Sequence, residues 1–80
     1  MNREQIIDII IKCVVKIYHA EEADLSENTN IPVAFGTKSL QRIGLCTLIE
    51  DETDVMISIG DIGKYPTIGD LADKIIEDLD

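Results

Sequence analysis

Apolar residues recur at helical spacing in three stretches of the chain. In the first, Ile6, Ile7, Ile10, Val14 and Ile17 form one stripe, with Asp8, Lys12 and Lys16 on the other side. That pattern predicts an amphipathic helix from about Arg3 to Ala20. Asp8 and Lys12 stand four apart with the acid first, a modestly favourable helical pair. Leu40, Ile43, Leu45, Leu48 and Ile49 predict a second helix from Ser39 to about Thr53, ending in the acidic run Glu50-Asp51-Glu52. Ile68, Leu71, Ala72, Ile75, Ile76 and Leu79 predict a third, running to about Leu79. Its start is marked by Thr67-x-x-Asp70, a capping-box pattern, with Pro66 just ahead.

The connections carry less order. Residues 21–37 form a long polar link containing Asn28, Asn30, Pro32 and Gly36. A loop of this length in so small a domain is functional or pinned to the core. Ile31, Val33 and Phe35 are the candidates to pin it. Residues Val55–Lys64 mix apolar side chains with Gly60 and Gly63, which predicts at most a short helical turn near Gly60–Lys64. No repeat, low-complexity tract or second domain is evident, so one domain over 1–80 is expected. Its fold class is all-α: three main helices, a short extra helical turn, and a long loop between helices one and two.

Composition narrows the function. The 80 residues suffice for one core and are 45% hydrophobic, with a formal net charge of −9. Residues 1–49 hold six acids and five bases, whereas residues 50–80 hold ten acids and two bases. Such a field repels nucleic acid and anionic membranes and attracts proteins with basic patches. Cys13 and Cys46 lie in apolar helical stretches without a CxxC or CxxH neighbour, which predicts two buried free thiols rather than a disulfide or metal site. Met1-Asn2-Arg3-Glu4 begins a helix and lacks a signal-peptide core. No apolar run is long enough to span a bilayer. A cytoplasmic, monomeric protein is expected. His19 is the one histidine, and no nucleophile–base set accompanies it, so an enzyme is not expected. Asp51-Glu52-Thr53-Asp54 lacks the glycine and closing glutamate of a calcium loop, and no metal is expected.

The chemistry centres on Gly36-Thr37-Lys38-Ser39-Leu40, which sets a hydroxyl at the mouth of helix two. A serine there can cap the helix by accepting a free backbone N–H. It can also carry a phosphodiester, because unpaired N–H groups and the positive dipole end both stabilise an anion.

Phe35-Gly36 ahead of Ser39-Leu40, the Leu48-Ile49-Glu50-Asp51-Glu52 helix end and the closing Pro66-Thr67-Ile68-Gly69-Asp70-Leu71-Ala72 occur in one order and spacing. With the Ile-rich first helix, this layout resembles the acyl carrier protein family over nearly the whole chain. The resemblance implies an acyl-carrier-like helical bundle whose Ser39 takes a 4′-phosphopantetheine arm from coenzyme A. The arm's thiol would carry acyl groups as thioesters in fatty-acid, polyketide or specialised lipid synthesis. Implied partners are a phosphopantetheinyl transferase and acyl-loading ligase and synthase enzymes with basic patches. Leu40, Arg42, Ile43, Glu50, Asp51, Glu52 and Asp54 are the implied docking residues. Fifteen isoleucines, no Trp and only Tyr18, Phe35 and Tyr65 as aromatics describe a branched aliphatic core. It is either an ordinary Ile-rich core or one that parts around a cargo chain.

Departures from the family cluster around the serine. Lys38 stands where an acid commonly precedes it, and Gln41, Arg42 and Gly44 replace acids of the next turn. Lys38 and Arg42 would oppose docking to basic patches, and like charges at an interface select against partners. Lys38 also sits at the positive end of the dipole, unfavourable until a phosphate on Ser39 gives it a partner. A specialised carrier with its own cognate enzymes is therefore expected. Gly44 weakens the helix by roughly 0.5–1 kcal/mol relative to alanine; it either permits close approach by a partner or the arm, or is merely tolerated. Thr53 replaces a common aromatic, implying a looser or reshaped pocket. Two other functions remain open: an aminoacyl or peptidyl carrier sharing fold and serine, and a non-modified helical adaptor, which Lys38 favours.

Overall fold

The computed structural model describes residues 1–79. Helix α1 spans Arg3–Tyr18, a 3-10 turn covers Glu22–Asp24, and α2 spans Ile31–Phe35. They are followed by α3 at Ser39–Thr53, α4 at Ile59–Lys64 and α5 at Ile68–Leu79. The all-α fold with three main helices is as expected, and α3 has the expected bounds.

Helix α1 begins at a full capping box: Asn2 accepts from the Gln5 N–H, and the Gln5 side chain accepts from the Asn2 N–H. It ends two residues earlier than its apolar pattern suggests, because His19 turns left-handed at φ 57°. The Asp8–Lys12 pair forms, with Nζ 3.0 Å from the carboxylate. Ile6, Ile10 and Val14 are fully buried in one core with Ile31, Leu45, Ile49, Ile62, Ile68, Leu71 and Ile75. Cys13 and Cys46 are buried and free.

The long connection is more ordered than its polarity implies. Asn30 caps α2 by accepting from the Val33 N–H, and Pro32 fits the first turn, where no N–H is needed. Residues read as loop breakers therefore start a short helix. Pinning falls to Ile31, which is fully buried, and to Phe35, whose ring stacks on Tyr18 at 4.6 Å. Val33, expected to share that role, is instead 83% exposed. Backbone bonds tie the same segment to α5: the Ile31 N–H reaches the Pro66 carbonyl at 2.8 Å, and the Ile68 N–H reaches Thr29 at 3.0 Å. The Gly69 N–H bonds Glu27 O at 2.8 Å, an approach so close that a Cβ on Gly69 would lie 3.1 Å from that oxygen. Arg3 links the same corner through Glu27 and Asp73.

The Val55–Lys64 segment is also better defined than its glycines suggest. Ser58 and Asp61 form a reciprocal capping box that opens the six-residue α4, and Ile62 buries it. Thr67 caps α5 by accepting the Asp70 N–H at 3.0 Å.

Candidate functional site

Ser39 is the first helical residue of α3, and Lys38 is its N-cap, without a side-chain capping bond. The serine is therefore not the cap. The first N–H to bond back is that of Arg42, to the Lys38 carbonyl at 3.2 Å. The N–H groups of Ser39, Leu40 and Gln41 are left without helical partners, beside the positive end of the dipole. Lys38 and Ser39 are both exposed.

The turn into this site depends on Gly36, whose φ of 87° and ψ of −170° define a region essentially confined to glycine. A Cβ there would meet no atom within 4 Å, so conformation rather than space calls for glycine. The Tyr18–Phe35 stack anchors the turn from below.

The three serines differ in how their hydroxyls are used. Ser26 Oγ accepts from the Asn28 N–H, and Ser58 Oγ accepts from the Asp61 N–H. Among the described residues, nothing bonds the Ser39 hydroxyl.

Around α3, residues rotate by about 100° each, so Leu40, Ile43, Thr47, Glu50, Asp51 and Asp54 share one face. All six are exposed. That face is apolar near the serine and acidic at its far end: Leu40 is 82% exposed and Ile43 50%. Asp54 closes the helix in a left-handed conformation.

Two residues expected on this face lie elsewhere. Arg42 folds inward, with its Nε buried and its guanidinium near Gly63 of α4. The expected pair of cations beside the serine is thus reduced to Lys38. Glu52 turns to the α1 side, where it shares a cleft of about 160 Å³ with Ile9, Lys12, Cys13, Lys16 and Leu48. Leu48 lies nine residues beyond Ser39, about 14 Å along the axis at 1.5 Å per residue, so the cleft is not at the serine.

Gly44 and Thr53 both serve packing. A Cβ on Gly44 would lie 3.0 Å from Ile17 Cδ1, so the close approach there is between α3 and α1. Thr53 is buried and satisfied: its hydroxyl donates to the Ile49 carbonyl at 2.7 Å and accepts from the Val55 N–H at 3.2 Å. It closes the helix end in place of an aromatic ring. Burial pushes the Cys13 thiol up to about 11, aided by Glu52, and also raises Cys46, with Asp61 adding to it and Arg42 opposing. Neither thiol is a poised nucleophile.

The arrangement can present a nucleophilic oxygen to an outside enzyme and then stabilise an attached anion. Among the described residues, no carboxylate or imidazole bonds that oxygen. Among the described residues, no cluster suited to a metal ion occurs, and no helix is long and apolar enough to cross a membrane. A search of curated proteins finds no match. A family model described as "Phosphopantetheine attachment site" matches residues 8–75, a span that includes Ser39 and all of α3.

Proposed function

Because the chain belongs to the phosphopantetheine-attachment family, whose members are carriers and not enzymes, we propose that Ser39 is the residue that takes the 4′-phosphopantetheine arm. The observation that carries this reading is the free hydroxyl: of three serines, Ser39 alone is exposed at a helix start with its oxygen uncommitted. The residues around it fit a phosphodiester. Three unbonded N–H groups and the exposed Lys38 supply positive charge at the place where two non-bridging oxygens would share one negative charge.

Carriers of this family work with a phosphopantetheinyl transferase and with partner enzymes. In the transfer, Ser39 Oγ forms a bond to phosphorus as the pyrophosphate bond of coenzyme A breaks and its nucleotide half leaves. The hydroxyl proton goes to the transferase, since this chain offers no base there. When bound, the arm supplies a thiol that holds cargo as a thioester. The protein contributes the anchor, the exposed turn and the docking face.

The cargo we propose is an acyl group of a fatty-acid, polyketide or specialised lipid pathway. The outward face of α3 supports this reading: an apolar end at Leu40 and Ile43 beside the serine, then Glu50, Asp51 and Asp54 facing solvent. Basic partners would seat on the acids and bury the two apolar residues. Lys38 stands in the open beside the attachment point and would select partners that tolerate or pair with a cation. The test is intact mass after incubation with coenzyme A and a broad-specificity transferase, followed by loading in parallel with acyl and aminoacyl ligases. One added arm on the parent, none on Ser39→Ala, and acyl loading of the modified form are expected. No added arm on the parent, or loading by the aminoacyl ligase alone, would overturn the respective part.

A further inference from the structure

Two buried polar atoms lack partners among the described residues: the Tyr18 phenol oxygen and Arg42 Nε. Orphaned buried polar atoms are few in folded proteins, and each calls for an explanation. These two belong to one neighbourhood. Helices α1 and α3 pack antiparallel, with Ile17 against Gly44 at one end and Ile9 and Cys13 across from Leu48 and Glu52 at the other. The end of α1 therefore lies under the first turns of α3. Tyr18 is held there by its stack on Phe35. Arg42 reaches inward toward α4, and a Cβ on Gly63 would lie 4.0 Å from its terminal nitrogen.

The electrostatics link the same groups. Burial raises the Tyr18 phenol, and the charge of Arg42 is the influence that pulls it down. The same charge acts on Cys46, one turn further along α3. The acid that also acts on Cys46 is Asp61, but its carboxylate accepts from the Ser58 N–H at 2.9 Å in the α4 cap. No described carboxylate forms an ion pair with Arg42. Arginine can only donate, whereas a phenol can donate as well as accept. With neither atom partnered, one acceptor oxygen brought to this place would meet two donors, an N–H and an O–H.

Ser39 is close to that place. Arg42 is three positions on from it, which puts the two about 60° apart around α3 and about 4.5 Å along its axis. A helical side chain also leans back toward the N-terminus, so Arg42 inclines toward the turn that holds Ser39. We propose that Tyr18 and Arg42 form a two-donor site for an acceptor oxygen, carbonyl or carboxylate, on the group tethered to Ser39. This rests on Ser39 being the attachment point. Such an oxygen has two sources, the amide carbonyls of the arm and an oxygen on the cargo chain. An arm that folds back between α3 and α4 would bring either to the pair.

The test follows the Arg42 Nε–H signal by proton–nitrogen NMR on the full chain in four states. These are unmodified, arm-bearing, loaded with a saturated acyl chain, and loaded with a 3-oxoacyl chain of equal length. Intact mass verifies each state. A downfield displacement of the signal with slower exchange against water is expected, and it should shrink in Tyr18→Phe. A change present once the arm is attached assigns the acceptor to the arm's amides. A change that appears only with the 3-oxoacyl chain assigns it to the cargo. A signal that stays in place through all four states overturns the site, and a full displacement retained in Tyr18→Phe overturns its two-donor form. An unmodified Ser39 in the mass spectrum means that the attachment reading has failed, and this proposal with it.

Discussion

Helices α3 and α5 contain similar numbers of residues and treat their apolar ones in opposite ways. Helix α5 buries Ile68, Leu71, Ala72 and Ile75 completely, and its start is held by the Thr67 cap and by backbone bonds to the preceding loop. Helix α3 buries Leu45, Cys46 and Ile49 but leaves Leu40 and Ile43 in solvent. Its N-cap is a lysine that makes no capping bond, ahead of an unused hydroxyl. The start of α5 is capped and tied to the fold, whereas the first turn of α3 has no side-chain cap and keeps exposed apolar side chains beside its serine. That difference fits the proposal that the turn at Ser39 serves something outside the chain.

The largest test of that contrast pairs one leucine from each helix. Leu71→Ala removes a fully buried side chain and is expected to cost about 2–5 kcal/mol in urea unfolding. Leu40→Ala, on the exposed face, should stay within about 0.5 kcal/mol while weakening the engagement of partner enzymes. Equal losses of stability would erase the distinction. Gly36→Ala should cost about 1–3 kcal/mol, because its φ of 87° is strained for any L-residue, and a neutral result would mean the turn rearranges.

Lys38→Asp should act in the other direction. An aspartate supplies the missing cap and suits the dipole, so a gain of about 1 kcal/mol is expected by the same unfolding measurement. A loss would show that Lys38 already makes a stabilising contact. The smallest effect belongs to pH. Cys13 has an ordinary value of 9.0 and is pushed up to about 11, chiefly by burial. Below pH 9 the thiol is neutral in both states and leaves stability unchanged. Between pH 9 and 11 only the unfolded chain loses the proton, so stability falls as pH rises. In Cys13→Ala that part of the alkaline decline should disappear from the pH–stability curve.

Much of this architecture is legible in the chain because it is set by local patterns. The apolar stripe of α1 and the Thr67 start of α5 are properties of neighbouring residues. So is the onset of α3 at Ser39 after Gly36. What escaped depends on context. Asn30-Ile31-Pro32 reads as a break, yet an asparagine cap followed by proline in a first turn is also a helix start. Ser58-x-x-Asp61 was a capping-box signal hidden by Gly60 and Gly63. Val33 and Phe35 stand two apart in the same short helix, and only the position of Tyr18 decides that Phe35 is the one to pack. For Arg42 there was no local signal, since an arginine three residues past a helix start usually points to solvent. Its turn toward Gly63 exists only once α4 is in place. At the site, the position of Ser39 was legible, while the engagement of Ser26 and Ser58 in caps required the fold.

Ser39, and neither of the other serines, is the residue proposed to bear the arm. The most direct measurement is tandem mass spectrometry of peptides from the protein after modification with coenzyme A and a transferase. Phosphopantetheine is expected on the peptide containing Ser39, with the peptides of Ser26 and Ser58 unmodified. An arm found on Ser26 or Ser58, or on no peptide at all, would contradict it.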